Sequence, residues 1–164
     1  MCTNNKDTKK EIDTDKRKST GRIIALVISL FFCILSIVLI VILTKQDSDD
    51  SLSLSQGIYY WIAGLAILNN IDLSGSWWFT PTYIRRFAHT AEFFALGLTS
   101  NIFFNCVLEN RKKAGITTGI TCVVFSLIDE FIKAGVPGRE FDIIDMGFDF
   151  VGYVAGIIIG TIIG

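Results

Sequence analysis

Between residues 85 and 149 the chain carries Arg85, Arg86, His89, Glu92, Asp129, Glu130, Arg139, Glu140, Asp142, Asp145 and Asp149, ionisable groups set among long apolar runs. Arg85, His89 and Glu92 stand at i, i+4 and i+7, one stripe of a helix. Asp145 and Asp149 repeat the i, i+4 interval, so each set can face a common interior. An imidazole beside a carboxylate is the composition of a general acid–base pair, with His89 titrating near neutrality and Glu92 or Asp129 as partner. Arg85, Arg86 and Arg139 offer forked N–H donors to an anion, oriented by Glu92 and Asp129, and Glu130, Asp145 and Asp149 complete the ligand-binding set. The bland alternative is that these charges pair with one another and only lock helices together. A metal would have to draw on Glu92, Asp129, Glu130 or Asp145 beside a single histidine, without a second His or Cys or an HExxH spacing, so neither metal nor cofactor is expected. Ser126 and Ser76 lie outside any GxSxG turn and no cysteine stands at the charged level, which argues against nucleophilic catalysis.

These groups need elements to hold them, and composition says what kind. Of 164 residues, 51% are hydrophobic and 13 are Phe, with mean hydropathy +0.50, too apolar for a soluble domain of this size. A membrane protein is expected and a large soluble catalytic domain is excluded. A formal net charge of -1 gives no basic field for nucleic acid. Cys33, Cys106 and Cys122 lie in apolar runs as small hydrophobes, no CxxC pair is present, and Cys2 lacks a lipoprotein processing site ahead of it.

Residues 1–22, with seven Lys or Arg against four acids, form a disordered basic tail in this reading, followed by a transmembrane domain over residues 23–164. Residues 23–43 are 21 residues without a charge, enough to cross about 30 Å of hydrocarbon as a helix. Lys9, Lys10, Lys16, Arg17, Lys18 and Arg22 precede the run and Asp47, Asp49 and Asp50 follow it, which places the N-terminus in the cytoplasm. The apolar stretch 58–68, bounded by Asn69, Asn70 and Asp72, is too short to cross and reads as an interfacial or re-entrant helix. Trp77, Trp78 and Phe79 before Pro81 suit a headgroup-level anchor. Further spans fall at about 87–108, 114–132 and 143–164, and the turn from Glu109 to Lys113 belongs inside by its Arg and Lys content. The expectation is therefore an all-α, integral membrane four-helix bundle with an extra interfacial or re-entrant helix between the first two spans and both termini cytoplasmic. Gly152, Gly156 and Gly160 extend the Asp145 and Asp149 face as a stripe on which a neighbouring helix can approach closely.

Arg85, His89, Glu92, Phe93, Leu96 and Gly97, then Asp129 and Glu130, then Pro137, Gly138 and Arg139, then Asp145, Asp149 and Gly152 form an ordered pattern. It resembles the VanZ-like family of small bacterial membrane proteins. Three positions depart from that pattern: Lys133 stands where Gln is common, Gly135 where an aromatic or apolar residue is, and Asp149 where Asn often is. The resemblance implies a multi-pass plasma-membrane protein linked, through the member that gives the family its name, to tolerance of glycopeptide antibiotics such as teicoplanin. It implies no particular reaction.

Three functions follow. The first is binding or modifying an anionic envelope molecule at the outer leaflet, a lipid headgroup or a cell-wall precursor. The second is an intramembrane hydrolase or transferase using His89 with Glu92 or Asp129. The third is a structural or transport subunit whose glycine stripe awaits a partner helix.

Overall fold

The computed structural model describes residues 5–46, 48–73, 75–76, 78–108 and 110–163, the side chains of residues 5–18 and 48 excepted. The expectations attached to Cys2, Trp77 and Glu109 fall outside them. The described residues form only helices and connecting turns: α1 (Asn5–Thr44), α2 (Ser48–Leu68), α3 (Pro81–Leu108), α4 (Arg111–Lys133) and α5 (Ile143–Ile163).

Each helix is long and apolar enough to cross a membrane by length and composition, and the bundle is polar inside and apolar outside. On α4, Thr118, Cys122, Ser126, Asp129 and Lys133 form one buried stripe, whereas Ile116, Ile120 and Phe131 are 65%, 63% and 70% exposed. Such an arrangement is stable where the surrounding medium is hydrocarbon, because exposed isoleucines then cost nothing and the charges must turn inward. Hydroxyls along the spans are satisfied within their own helices, as where Thr118 and Thr121 donate to the carbonyls of Ala114 and Thr117 at 2.8 Å.

Local chemistry sets the helix starts. Pro81 suits the first position of α3 and Thr80 Oγ1 accepts the Tyr83 N–H at 3.4 Å, so α3 begins before the expected residue 87. Asn110 caps α4 by accepting the Lys113 N–H at 3.1 Å, and Asp142 caps α5 by accepting the Ile144 N–H at 2.8 Å.

Cross-helix bonds fix direction. Arg22 donates to the Cys106 carbonyl at 2.6 and 3.0 Å while Cys33 Sγ lies 3.3 Å from Ser100 Oγ, so α1 is antiparallel to α3. Ser126 pairs with Asp149 and the Asp142 N–H with Glu130, which makes α5 antiparallel to α4. The helices α3 and α5 run parallel and in backbone contact. A Cβ on Gly97 would lie 2.6 Å from the Tyr153 carbonyl oxygen, and one on Gly152 or Gly156 would collide with the carbonyl of Thr90 or Phe94. Only glycine allows this approach.

The helix of the first span begins at Asn5. That span supplies the nucleus, and extending an existing helix through proline-free sequence is far easier than starting one. One expectation is corrected. The apolar stretch 58–68 is the latter half of a 21-residue helix, whose first turn holds Asp49 and Asp50 at the dipole-favoured end. Although α2 is long enough to cross, α1 ends and α3 begins at the same end of the bundle, and α2 connects them from that end. Tyr59, midway along α2, stacks on Phe79 just before α3, with centroids 4.7 Å apart. Further along, Trp61, Ile67 and Leu68 are exposed. Four helices form the bundle and α2 flanks its charged end.

Candidate functional site

The site lies where α1 and α4 end and α3 and α5 begin. At its floor Asp129, Glu130 and Asp149 bring carboxylate oxygens within 4.8 Å of one another. Oxygens so arranged suit a hard cation, and Lys133 supplies one: its Nζ lies 2.7 Å from Asp129 Oδ2 and 2.6 Å from Glu130 Oε1. Neutral donors stabilise the remaining oxygens. Thr44 donates to Asp129, Ser126 to Asp149 Oδ2 at 2.7 Å, and the Asp142 N–H to Glu130 Oε2 at 3.0 Å. The four ionic side chains are all at most 3% exposed, and among their oxygens Asp149 Oδ1 is buried without a hydrogen-bond partner among the described residues.

Above the floor, Arg86 ties α3 to the start of α5. Its Nε donates to Asp145 Oδ1 and its Nη2 to Asp142 Oδ2, each at 3.0 Å. Asp142 thus caps α5, receives Arg86 and offers its own N–H to Glu130. Burial alone would raise the Asp142 pKa, but the Ile144 N–H and the Arg86 guanidinium outweigh it and hold the carboxyl below its ordinary value.

Toward α2 the surroundings change. His89 Nδ1 lies 3.3 Å from Glu92 Oε2, and His89 Nε2 is buried with no hydrogen-bond partner among the described residues. Arg85 stands 4.0 Å from Asp145 Oδ2 by its Nη2, and its buried Nε also has no hydrogen-bond partner among them. Arg139, in the loop before α5, donates by Nη1 to the carbonyls of Thr44 and Gln46 at 3.2 and 3.3 Å. That loop turns at Gly138, whose φ of 74° glycine adopts readily. Burial, then the like charge of Arg85, lowers the Arg139 pKa against opposing contributions from Asp129, Asp145 and Glu130.

Arg85 and Arg139 line two adjoining spaces. One is a polar cleft of about 440 Å³ that also meets Lys133, Glu140, Asp142 and Asp145. The other is a narrow slot of about 80 Å³ between α2 and α3, with His89 and Glu92 in its wall.

The sequence expectations divide accordingly. Arg85, His89 and Glu92 share one wall, and Asp145 and Asp149 are both buried on α5. Arg86 is held by Asp142 and Asp145, Arg139 bonds to the carbonyls of Thr44 and Gln46, and Asp149 meets Ser126. Glu92 contacts His89 and Asp129 contacts Lys133 and Thr44, so neither orients Arg85 or Arg139 by a direct bond among the described residues. The face of Gly152, Gly156 and Gly160 is covered by α3 of the same chain, not left for a partner.

Sequence reasoning passed over Thr44, weighed Ser126 only as a nucleophile and treated Lys133 only as a departure. The spacing of Lys133, i+4 from Asp129 and i+3 from Glu130, was the available signal. It also passed over a second polar group deeper in the bundle, where Asn105 Nδ2 donates to Asn101 Oδ1 at 2.9 Å.

No curated protein and no solved structure matches the chain. The family model described as VanZ/LLP1 matches residues 29–164, which takes in every helix that builds this charged end. The chain therefore belongs to the VanZ/LLP1 family of membrane proteins.

Proposed function

We propose that this VanZ-like protein holds the anionic group of an envelope molecule, a lipid headgroup or a cell-wall precursor, at the outer face of a bacterial plasma membrane. In doing so it contributes to tolerance of envelope-directed antibiotics, glycopeptides of the teicoplanin type among them. The observation that carries this reading is the sharing of one polar cleft by Arg85 and Arg139. Two guanidiniums facing a common space, one with a buried donor lacking a partner, are stabilised by an anion between them. The excess of Lys and Arg in the first half of α1 and in the first turn of α4 supports an inside location for the opposite end and for both termini.

The test has two arms. In cells, Arg85→Gln and Arg139→Gln proteins present at normal abundance lose the tolerance that the unmodified chain confers, and full retention by both defeats the reading. In a background lacking native cysteines, an impermeant thiol reagent reaches a cysteine at exposed Gly138 from outside and one at Lys112 only after permeabilisation. Ready external labelling at 112 reverses the orientation.

A second reading, hydrolysis or group transfer, rests on His89. Glu92 at Nδ1 and a free Nε2 are the arrangement that leaves an imidazole nitrogen able to take a proton.

A further inference from the structure

Beyond the anion-holding residues, the slot between α2 and α3 has walls of a different chemistry. Leu43, Leu54, Ile58, Ile84 and Ala88 give it a mainly apolar surface, with Gln46, Ser51, Ser55, His89 and Glu92 at its margins, and it adjoins Arg85 and Arg139. Gln46, Leu54 and Ile58 also border an open groove of about 560 Å³ that runs along α2 past Gly57 to Trp61. Polar cleft, mainly apolar constriction and an open groove that also carries Asp50 and Ser53 thus adjoin one another through shared residues. The constriction, about 80 Å³, has room for about three water-sized groups in cross-linked series. A volume of that size suits a few methylenes of a hydrocarbon chain and is too small to enclose a sugar ring or a folded peptide.

We infer that the ligand is a phosphate-bearing lipid, its phosphate at Arg85 and Arg139 and one acyl chain lying through the α2–α3 slot into the groove along α2. This rests on the anion reading above and adds the identity of the tail. It gives α2 a role its limited packing leaves open, that of the outer wall of a lipid channel. It also accounts for an apolar space placed directly beside two guanidiniums, where a site for a wholly soluble anion needs only polar walls. Charge complementarity fixes which end of the lipid faces the arginines. Each methylene taken from water into such a slot is worth about fourfold in affinity, so the tail contributes strongly wherever the chain is enclosed.

The experiment uses the purified full-length protein in a mild detergent, with retained ligand read by native mass spectrometry. The probes are a lysophosphatidic acid with a 14-carbon chain, glycerol 3-phosphate as the head alone, and the matching uncharged monoacylglycerol as the tail alone. The unmodified protein retains the lysophosphatidic acid at least about fiftyfold better than either partial probe, a gain of only a few enclosed methylenes. Equal retention of lysophosphatidic acid and glycerol 3-phosphate overturns the tail assignment, and this comparison needs no variant. Ala88→Phe, which fills the slot from α3, lowers lysophosphatidic acid retention at least about tenfold and leaves glycerol 3-phosphate unchanged. Leu54→Trp does the same from α2 and serves if the first variant melts early. Arg139→Gln lowers retention of both charged probes. If the slot variants bind like the unmodified chain while Arg139→Gln does not, the acyl assignment fails and the anion reading stands. If Arg139→Gln also binds both charged probes normally, both fail.

Discussion

Lys133 Nζ sits 2.7 Å from Asp129 Oδ2, with both side chains 2% exposed. Lys133 is one of two positions where the chain departs from the VanZ-like pattern by a charge. The other, Asp149, belongs to the same buried carboxylate set. A lysine in place of Gln and an aspartate in place of Asn add one positive and one negative charge to a single low-dielectric cluster, so the two departures cancel.

Lys133→Gln therefore leaves three buried carboxylates without their cation and lowers stability by about 3 to 5 kcal/mol. Adding Asp149→Asn restores most of the loss. Thermal melting of the purified single and double variants measures the cycle, and simple additivity of the two effects contradicts the cancellation.

Arg86→Ala strips partners from buried Asp145 and from the cap of α5, again a loss of several kcal/mol. Arg111→Ala, at an exposed position on the first turn of α4, changes stability by about 0.5 kcal/mol or less. Arg139→Ala, which forfeits two bonds to carbonyls but no carboxylate pair, falls between them. Membrane abundance and melting temperature rank the three, and an Arg86 variant as stable as Arg111→Ala contradicts the bridge.

The depressed Asp142 pKa has a pH consequence. A carboxyl whose folded value lies below its ordinary 3.8 contributes stability that is complete above that value and is lost as pH falls through the lower, folded one. Arg86 stays charged throughout, so acid loosens the start of α5 only below about pH 3.8. Asp142→Asn, which keeps a capping oxygen, flattens this acid limb in a melting-temperature series. An unchanged limb assigns it to other carboxylates.

Gly152→Val forces α3 and α5 apart and costs about 1 to 3 kcal/mol or more, since backbone cannot yield as a side-chain tip does. Gly147 has nothing within 4 Å of an added Cβ, so Gly147→Ala is neutral or stabilising by up to about 1 kcal/mol. Expression level and melting temperature read the contrast, and equal effects contradict the close approach.

His89→Gln keeps a polar group near Glu92 and removes titration. If His89 carries a proton, the variant melts within a few degrees of the unmodified chain while losing any tolerance it confers. Full tolerance at normal abundance leaves His89 a structural partner of Glu92 within α3.

The spans were legible because hydropathy runs are local, and so was the gathering of Arg85, His89 and Glu92 on one stripe, because helical spacing fixes it. Pairings between helices were not. Arg86 rather than Arg139 holds Asp145 because α3 and α5 approach through glycine at Gly152 and Gly156, a distance no spacing along the chain encodes. The length of α2 was hidden because its first turns, Ser48 to Ser53, are polar. Helix direction came from parity of basic residues, whereas the depth at which Thr44 would meet Asp129 depended on where α1 stopped.

The spacing of Asp129, Glu130 and Lys133 also bears on how the chain enters the bilayer. A charged residue at the middle of an inserting segment costs about 2.5 to 3.5 kcal/mol. Because a counter-ion stands one turn away on the same segment, α4 carries partial charge compensation of its own, one lysine against two carboxylates, before it meets α5. Arg86 has no such companion on α3 and finds Asp142 and Asp145 only after the last segment arrives. The charged end is thus built in two parts, Asp129, Glu130 and Lys133 meeting within one helix while Asp149 and the upper tier come from the final one.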